Sequence, residues 1–493
     1  MEKASDLLAR LMLGLFALVL TLAMLLTALR GLTNRSYLAA MALGGVAAAA
    51  VLLALRRAGS RPGKENGLFR RLGPVGTGAA LAALCFAVNL IWVLAVRIEP
   101  FSDYNTYWRC ACSLAFGSPM ESTEYVAMYP HILGYASFLS LFLRLFGESV
   151  MAAAVLNVAL TTVSGLLIYA LCRRFLDDGC AALAFLMWTF FPTKLMLNSL
   201  VFSEPLYTCQ TLLFILLVTG LERRQERYAA RPALGLLWGA GLGLLLRWLN
   251  TVRPIAAILI IAFFIWLLLL RGGDVKDKRL WRLWGLAALA MLCVYALSGR
   301  PWDAHVERVL GEEPADMPIY NVYVGFNEET QGQWSAEDMD LLFAYKHEEN
   351  ISAGEAQRRM LPHLKERLAS GIDLPGLFAA KLRAFMGDDE LGGYTYRFTR
   401  GETFVKVCMV LCNVYYFFAV ALVYPGLYGM LRLPRPRAWL LMPLFALGLT
   451  LAHMLVEVCN RYHYSLIPMF VIIAAFGFYA VRTRGGKNTE VSI

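Results

Sequence analysis

The sequence predicts an all-α polytopic membrane protein with about a dozen membrane-spanning helices. Of its 493 residues, 58% are hydrophobic and only 17% are charged, whereas soluble domains are about 45–50% apolar and about 25% charged. The apolar residues form blocks of about 17–25, the length that crosses the hydrocarbon core as a helix. These blocks are continuous, without the alternation of a membrane β-barrel, so helices satisfy the backbone in lipid.

The hydropathy pattern places the spans between charged loops of varied length. Their expected positions are near 8–29, 37–55, 74–96, 149–171, 179–197, 206–221, 233–249, 254–270, 283–299, 403–430, 437–457 and 464–481.

Basic residues occur in every second loop, which predicts the orientation of the chain. The six groups are Arg56, Arg57, Arg61, Lys64, Arg70 and Arg71; Arg173 and Arg174; Arg223, Arg224, Arg227 and Arg231; Arg271, Lys276, Lys278, Arg279 and Arg282; Arg432, Arg435 and Arg437; and Arg482, Arg484 and Lys487. All six lie on the cytoplasmic side if both termini are cytoplasmic. Orientation therefore explains the net charge of +10, and no nucleic-acid partner is expected.

Residues 130–146 are apolar enough to span, but a span there would invert every later basic loop. We therefore expect a helix lying in or near the outer interface.

Two outer segments are long, 97–148 and 300–402. The second is far longer than an ordinary loop and should carry its own structure. Met360, Leu364 and Leu368 recur at helical spacing between Ala353 and Phe385. The expected organisation is residues 1–73, with two N-terminal spans and a basic loop; 74–299, a transmembrane core; 300–402, a small extracytoplasmic domain; and 403–493, C-terminal spans.

Two acidic residues lie at the predicted outer face. Asp103 follows the third span and could act as a general base or hold a divalent metal, or could simply be a solvated or helix-capping acid. Glu204 lies in a short turn before Pro205, where the alternative is a carboxylate that caps the next helix. Ionisable residues near membrane depth usually mark a site.

Cations and aromatic residues occur at the same face. Arg253 suits a phosphate, which a guanidinium grips with two hydrogen bonds, although interfacial snorkelling is the alternative. The turn EVCNRYHYSLIP brings Arg461, Tyr462 and His463 between the last two spans. Further candidates, for which an aromatic belt or snorkelling is the competing explanation, are Tyr129, His131 and Lys194.

These motifs together resemble the GT-C superfamily of membrane glycosyltransferases, in the branch of the protein O-mannosyltransferases and the lipid A aminoarabinose transferase. The matching segments are SDYNTYW with Asp103 and Tyr107, the Tyr129-Pro130 start of a helix ending in LFG, the SEP turn, the RP turn, and RYHYSLIP. The resemblance runs from about Val75 to the C-terminus, so the first two spans precede it.

The resemblance implies an inverting transfer from a polyprenyl-phosphate sugar at the outer face of the bacterial cytoplasmic membrane. It implies that Asp103 is the base or a metal ligand, and that Glu204 is a second catalytic or metal-site acid. Arg253, Arg461 and His463 would contact the donor phosphate, and the substrate-binding side chains would be Tyr107, Tyr129, His131, Lys194 and Tyr462. A divalent metal ion is the one cofactor expected, and the acceptor would be an envelope polymer, a lipid or a protein.

Two other functions fit the same topology. A secondary transporter often has about twelve spans, but it usually has internal repeats and midplane charges, which this sequence lacks. A lipid-linked-saccharide flippase would need a charged cavity and no base, so Asp103→Asn should leave it active.

Overall fold

The computed structural model describes residues 2–58, 67–271, 277–433 and 437–483, and every regular element in these ranges is helical. Six of the basic residues used to predict the orientation lie outside these ranges, namely Arg61, Lys64, Lys276, Arg435, Arg484 and Lys487.

The chain begins with three long helices, α1 (Glu2–Gly31), α2 (Arg35–Ala58) and α3 (Gly67–Ala95). A kink interrupts α3 at Gly73, where φ is +63°. Pro74 follows directly, and only a glycine adopts this backbone conformation without steric cost. The apolar part of α3 therefore starts at the proline.

The first outer segment forms three helices, α4 (Ser102–Phe116), α5 (Thr123–Met128) and α6 (His131–Phe146). Helices α4 and α6 lie side by side, with the Tyr107 and Tyr135 rings 5.2 Å apart and Arg144 donating to the Leu114 carbonyl at 2.6 Å. A Cβ on Gly134 would lie 1.9 Å from the Thr251 carbonyl oxygen. Only glycine permits this close approach of α6 to the later helix that carries Thr251.

The central region contains seven helices: α7 (Val150–Phe175), α8 (Asp178–Thr189), α9 (Pro192–Leu197), α10 (Glu204–Ala229), α11 (Leu234–Val252), α12 (Ala256–Ile265) and α13 (Lys278–Leu297). A π-helical turn, Trp266–Leu270, continues α12. The predicted span at 179–197 is two helices, because Pro192 cannot continue α8 and instead starts α9.

The second outer segment is also helical. It consists of α14 (Gly299–Leu310), α15 (Ile319–Gly325), α16 (Ala336–Glu348), α17 (Ala353–Arg359), α18 (Leu361–Ala369), α19 (Leu374–Met386) and α20 (Leu391–Tyr394), followed by a 3₁₀ turn at Thr395–Phe398. The predicted helical segment between Ala353 and Phe385 is confirmed as three helices. Met360 and Leu364 are buried, but Leu368 is exposed.

The last described part of the chain, residues 402–433 and 437–483, forms three α-helices: α21 (Glu402–Met430), α22 (Leu441–Leu455) and α23 (Leu466–Thr483). A 3₁₀ turn precedes each of the last two, at Ala438–Leu440 and Asn460–Ser465.

Within the described ranges, nine helical segments are long and apolar enough to cross a membrane. The other three predicted spans, near 179–197, 233–249 and 254–270, are helices α8 with α9, α11 and α12, which are shorter or less apolar. The predicted all-helical, multi-pass membrane fold is confirmed.

The helix ends meet in two groups. At one end, Ser5 donates to the Leu270 carbonyl at 2.7 Å and Arg271 donates to Gln225 at 2.8 Å. Further contacts at this end are Arg482 with Asp177, and Arg437 with Asp6. The described basic residues Arg271, Arg437 and Arg482 lie at this end, and the opposite end carries Asp103, Glu204, Arg253 and Arg461.

Candidate functional site

Asp103 lies in the first turn of α4, just after Pro100 ends the link from α3. Its carboxylate accepts hydrogen bonds from the Tyr125 hydroxyl at 3.2 Å and from the Arg461 guanidinium at 3.4 Å. The side chain remains 41% exposed. Asp103 is therefore held in place and can still reach a second molecule.

Glu204 is the first residue of α10, and Pro205 stands at the position where a helix start favours proline. Its side chain is only 2% exposed, and Oε1 lies 3.3 Å from Nε of Arg461. Arg461 thus bridges the two acids, Asp103 through one nitrogen and Glu204 through another. Glu204 is therefore a buried acid paired with Arg461.

Arg461 and Tyr462 lie on the 3₁₀ turn between α22 and α23. The Tyr462 ring stacks on His453 with the centroids 5.0 Å apart, and its hydroxyl donates to Glu457 at 3.3 Å. Burial raises the pKa of Glu457. The turn therefore presents one guanidinium and one fixed aromatic ring to the site.

Arg253 follows α11 in an extended conformation that suits a residue before proline. Its guanidinium carbon lies 4.6 Å from the centroid of the Tyr462 ring and 6.0 Å from that of Tyr207. Among the residues that the structure describes, no carboxylate forms an ion pair with it. A guanidinium held between aromatic rings without a counterion is suited to bind an anion.

His131 begins α6 beside these cations. Burial, and then the charges of Arg253 and Arg461, lower the pKa of His131 to about 3. The imidazole is therefore neutral at physiological pH. It can exchange hydrogen bonds with a ligand without adding a third positive charge.

Tyr129 links the site to the second outer segment. Its ring lies 4.9 Å from Tyr125 and 6.3 Å from Tyr320 of α15, and its hydroxyl is 3.8 Å from the sulfur of Met339 in α16. Helices α15 and α16 of the second outer segment therefore pack against Tyr129.

Most of the site residues expected from the sequence come together, and two do not. Asp103, Tyr107, Tyr129, His131, Glu204, Arg253, Arg461 and Tyr462 all lie in one region. Lys194 is buried elsewhere and donates to Asn89 at 3.0 Å and to the Thr189 carbonyl at 3.1 Å. His463 lies on the far side of the Arg461 turn, where both ring nitrogens have protein partners. This placement corrects the expectation that His463 contacts the donor phosphate.

Sequence reasoning missed three residues that complete the site. Tyr125 binds Asp103, Tyr207 flanks Arg253, and the Tyr104 ring lies 5.4 Å from the Arg461 guanidinium. Tyr104 lies in the SDYNTYW motif beside Asp103, but no sequence signal separates Tyr125 and Tyr207 from the other tyrosines, of which 22 occur in the chain. The partner of His463 was also missed, although the acidic run at 388–390 is visible in the sequence.

The expected metal ligands do not fit a divalent ion. Asp103 and Glu204 share the guanidinium of Arg461, whose positive charge already stands between the two carboxylates. In the described part of the chain, no three His, Cys, Asp or Glu side chains are grouped to hold a metal. No step of the proposed reaction is therefore assigned to a metal.

Comparisons with known proteins relate the chain to membrane glycosyltransferases. Residues 130–297, roughly a third of the chain, match the family described as dolichyl-phosphate-mannose-protein mannosyltransferase. This segment contains His131, Glu204 and Arg253, whereas Asp103 and Arg461 lie outside it. The match supports the resemblance for the motifs that lie within residues 130–297.

The chain is also similar to a solved structure, the archaeal oligosaccharyltransferase AglB from Archaeoglobus fulgidus in complex with an inhibitory peptide and a dolichol-phosphate. The identity is 15% and the TM-score is 0.45, over 86% of this chain and 53% of the archaeal one. The chain therefore spans about half the length of that protein. No match was found among curated proteins.

Proposed function

We propose that this protein is a glycosyltransferase that moves a sugar from a polyprenyl-phosphate donor to an acceptor at the outer face of the cytoplasmic membrane. One observation carries the proposal. A partly exposed carboxylate, Asp103, and an unneutralised guanidinium, Arg253, lie around the same tyrosine-lined region, and Arg461 lies between them.

Arg253 is the proposed phosphate contact. Its five N–H donors can form two parallel hydrogen bonds to a phosphate, and the flanking rings of Tyr207 and Tyr462 limit the orientation of the guanidinium. The phosphate gains negative charge as the bond to the sugar breaks. A fixed cation in a region of low dielectric stabilises that charge.

Asp103 is the proposed general base. An acceptor hydroxyl attacks the anomeric carbon, the bond from that carbon to the phosphate oxygen breaks, and the acceptor proton passes to the Asp103 carboxylate. The polyprenyl phosphate leaves with the bonding electron pair. A single displacement of this kind inverts the configuration of the sugar.

Glu204 and Arg461 support this base. Glu204 is enclosed, so it acts through Arg461, and Arg461 pairs with both acids and orients Asp103. Neutral His131 can hydrogen-bond to the sugar or the phosphate, while Tyr129 and Tyr107 shape the substrate region. The sequence predicted a catalytic or metal-binding role for both acids, whereas this proposal makes Asp103 the base and Glu204 a support for Arg461.

The topology supports an extracytoplasmic site. The described basic residues Arg271, Arg437 and Arg482 lie at the opposite end of the helices, and positive residues favour the cytoplasmic side. Helix α6 starts beside the site, and the chain enters α7 near the same end, which favours an interfacial position for α6. Residues 300–402, which contact Tyr129, would help to bind a polymer, lipid or protein acceptor.

The test is transfer from a panel of labelled polyprenyl-phosphate hexoses and pentoses by the full-length protein in vesicles. Asp103→Asn is the test variant, and Glu99→Gln, an exposed acid in the same loop, is the matched control. We expect release of polyprenyl phosphate and labelled acceptor with the wild type and the control only. Transfer by Asp103→Asn at the wild-type rate would remove Asp103 from the mechanism.

The same assay distinguishes the alternatives. Binding of polyprenyl phosphate by folded protein without sugar transfer, or movement of the intact donor between leaflets, would indicate a flippase or transporter. In that case Arg253 would belong to a binding site and Asp103 would not be a base.

A further inference from the structure

A second group of acids lies behind the site, in the link between α19 and α20. These are Asp388, Asp389 and Glu390, and the proposed transfer uses none of them. The Asp389 carboxylate has no exposed surface. It accepts a hydrogen bond from the Thr193 hydroxyl at 2.5 Å. Its other oxygen is hydrogen-bonded to Nε2 of His463 at 3.0 Å.

The hydrogen bonds of His463 define what the pair can do. Nδ1 lies 2.9 Å from the Phe385 carbonyl oxygen, which can only accept, so Nδ1 carries a hydrogen. Nε2 faces Asp389, so one more proton lies between these two groups. The pair is therefore hydrogen-bonded whether the proton resides on the imidazole or on the carboxyl group. Its partners and its burial leave His463 no free nitrogen for a substrate.

The same acidic link holds the other end of the Arg461 turn. Asn460 donates through Nδ2 to the backbone carbonyl of Asp388 at 2.8 Å and to its side chain at 3.1 Å. The 3₁₀ turn is thus tied down at Asn460 and at His463. Arg461 and Tyr462, the two residues that contact the site, lie between these anchors.

The N-terminal helices support the acidic link from outside. Thr27 of α1 donates to the Gly387 carbonyl at 2.9 Å, and Arg30 pairs with Asp388 at 3.6 Å. Asn413 of α21 receives the backbone N–H of Asp389 at 2.9 Å. The acidic link is therefore held by α1 and α21, so it can act as a fixed anchor for the turn.

We propose that Asp389 and His463 are a positioning pair that sets the place of Arg461 and Tyr462 without touching the substrate. This inference rests on the proposed function, because Arg461 matters through its contact with Asp103. A buried hydrogen-bonded pair resists rotation, and a misplacement of about 1 Å can reduce a catalytic rate about 100-fold. The pair therefore converts a flexible connection between two spans into a rigid support.

The experiment compares Asp389→Asn and His463→Gln with Glu402→Gln, an exposed acid of α21 whose pair with Lys406 lies at the surface. Full-length proteins in vesicles are assayed for kcat and donor KM, and for hydrogen exchange of backbone amides in residues 456–466. We expect both test variants to lose about 10-fold or more in kcat. Donor KM should change less than kcat, since Arg253 follows α11 and packs on the Tyr207 ring as well as on Tyr462.

Hydrogen exchange separates positioning from a general loss of folding. We expect faster exchange in 456–466 and unchanged exchange in α4 and in α7. The control variant should match the wild type in every measurement. The variant His463→Gln retains an amide donor toward Asp389, so it provides a second, milder change if Asp389→Asn fails to fold.

Two outcomes would overturn the inference, and they differ from a failure of the proposed function. If the wild type transfers sugar and both variants keep its kcat, the pair does not position Arg461. If the wild type transfers no sugar at all, the proposed function fails. Hydrogen exchange in residues 456–466 then decides by itself whether Asp389 and His463 anchor the turn. Unchanged exchange in 456–466 would then reject the pair as the anchor of the turn, whereas faster exchange would retain it.

Discussion

Two groups of acids and cations lie on opposite sides of the turn at Asn460–Ser465, and they differ in exposure. On one side, Asp103 remains 41% exposed, and the Arg253 guanidinium lies against the Tyr207 and Tyr462 rings with no carboxylate paired to it among the described residues. On the other side, Asp389 is enclosed and His463 has a protein partner at each nitrogen. Asp103, Arg253 and Arg461 thus form an incomplete group, which has hydrogen-bonding capacity left for a ligand. Asp389 and His463 form a complete group, whose hydrogen bonds to the protein support the structure.

The comparison shows that an ionisable residue near membrane depth indicates a site only when its hydrogen bonds are incomplete. Lys194 makes the same point, since its ammonium group has an amide, a carbonyl and the Trp188 ring as partners. The predictions that follow are ordered from the largest expected effect to the smallest.

Arg461 belongs to the incomplete group, and its loss should affect both activity and stability. Arg461→Met leaves the buried Glu204 carboxylate without a cation, which should cost about 3–5 kcal/mol of stability. Arg461→Met combined with Glu204→Leu should recover much of this loss in thermal denaturation but none of the transfer activity. Recovery of transfer by the double variant would show that Arg461 serves only to neutralise Glu204.

Substitutions in the complete group should lower the free energy of unfolding even when no substrate is present. His463→Leu leaves Asp389 buried without its partner, and we expect a loss of about 3–5 kcal/mol in the free energy of unfolding. Asp103→Asn, at a partly exposed position, should change it by less than about 1 kcal/mol. Equal losses in the two variants, measured by denaturant titration in detergent, would contradict the distinction between the groups.

Arg253 should determine the affinity for the donor. A hydrogen bond to a charged group contributes about 1.5–3 kcal/mol, so Arg253→Ala should raise donor KM about 10- to 100-fold. Arg253→Lys should lose less, because it retains the charge and loses the paired hydrogen bonds. Arg231→Ala, in a basic loop at the opposite end, is the control. An unchanged KM in Arg253→Ala would identify Arg253 as a snorkelling residue.

Asp388 offers a pH-dependent test in the second group. Burial, and then the charge of Glu390, raise the pKa of Asp388 to about 6, and Asp389 adds to this while His463 and Arg30 act in the opposite direction. Because the folded protein binds this proton more tightly than the unfolded chain, the ionised form destabilises the fold above pH 6. Asp388→Asn should therefore raise the melting temperature at pH 8, and the gain should shrink as the pH falls below 6 and disappear below pH 3.8, the ordinary pKa of an aspartate. A gain independent of pH would exclude ionisation of Asp388 as its cause.

Chelation should have the smallest effect. Since the Arg461 guanidinium already lies between Asp103 and Glu204, we expect EDTA to leave the transfer rate unchanged. The measurement compares vesicles before and after chelation and after addition of Mg²⁺ or Mn²⁺. A loss that either metal restores would show that the two carboxylates bind an ion in place of the guanidinium.

The sequence by itself determined the helical membrane fold, the loops and the end of the molecule where Asp103, Glu204, Arg253 and Arg461 lie. These features depend on the length of apolar segments and on the sign of nearby charges, which are local properties. Local chemistry also predicted the start of α10 at Glu204-Pro205. The break between α8 and α9 was missed, because hydropathy does not show that Pro192 ends one helix and starts the next.

Only the tertiary structure decided which of these residues act together. Asp103 and Arg461 are 358 positions apart in the chain, and helix packing alone brings them into contact. The same packing directs the His463 side chain toward Asp389, although Arg461, two residues earlier, faces Asp103. Side-chain direction and burial depend on which helices are adjacent, so a sequence can place a residue at the site end but cannot tell a ligand contact from a structural support.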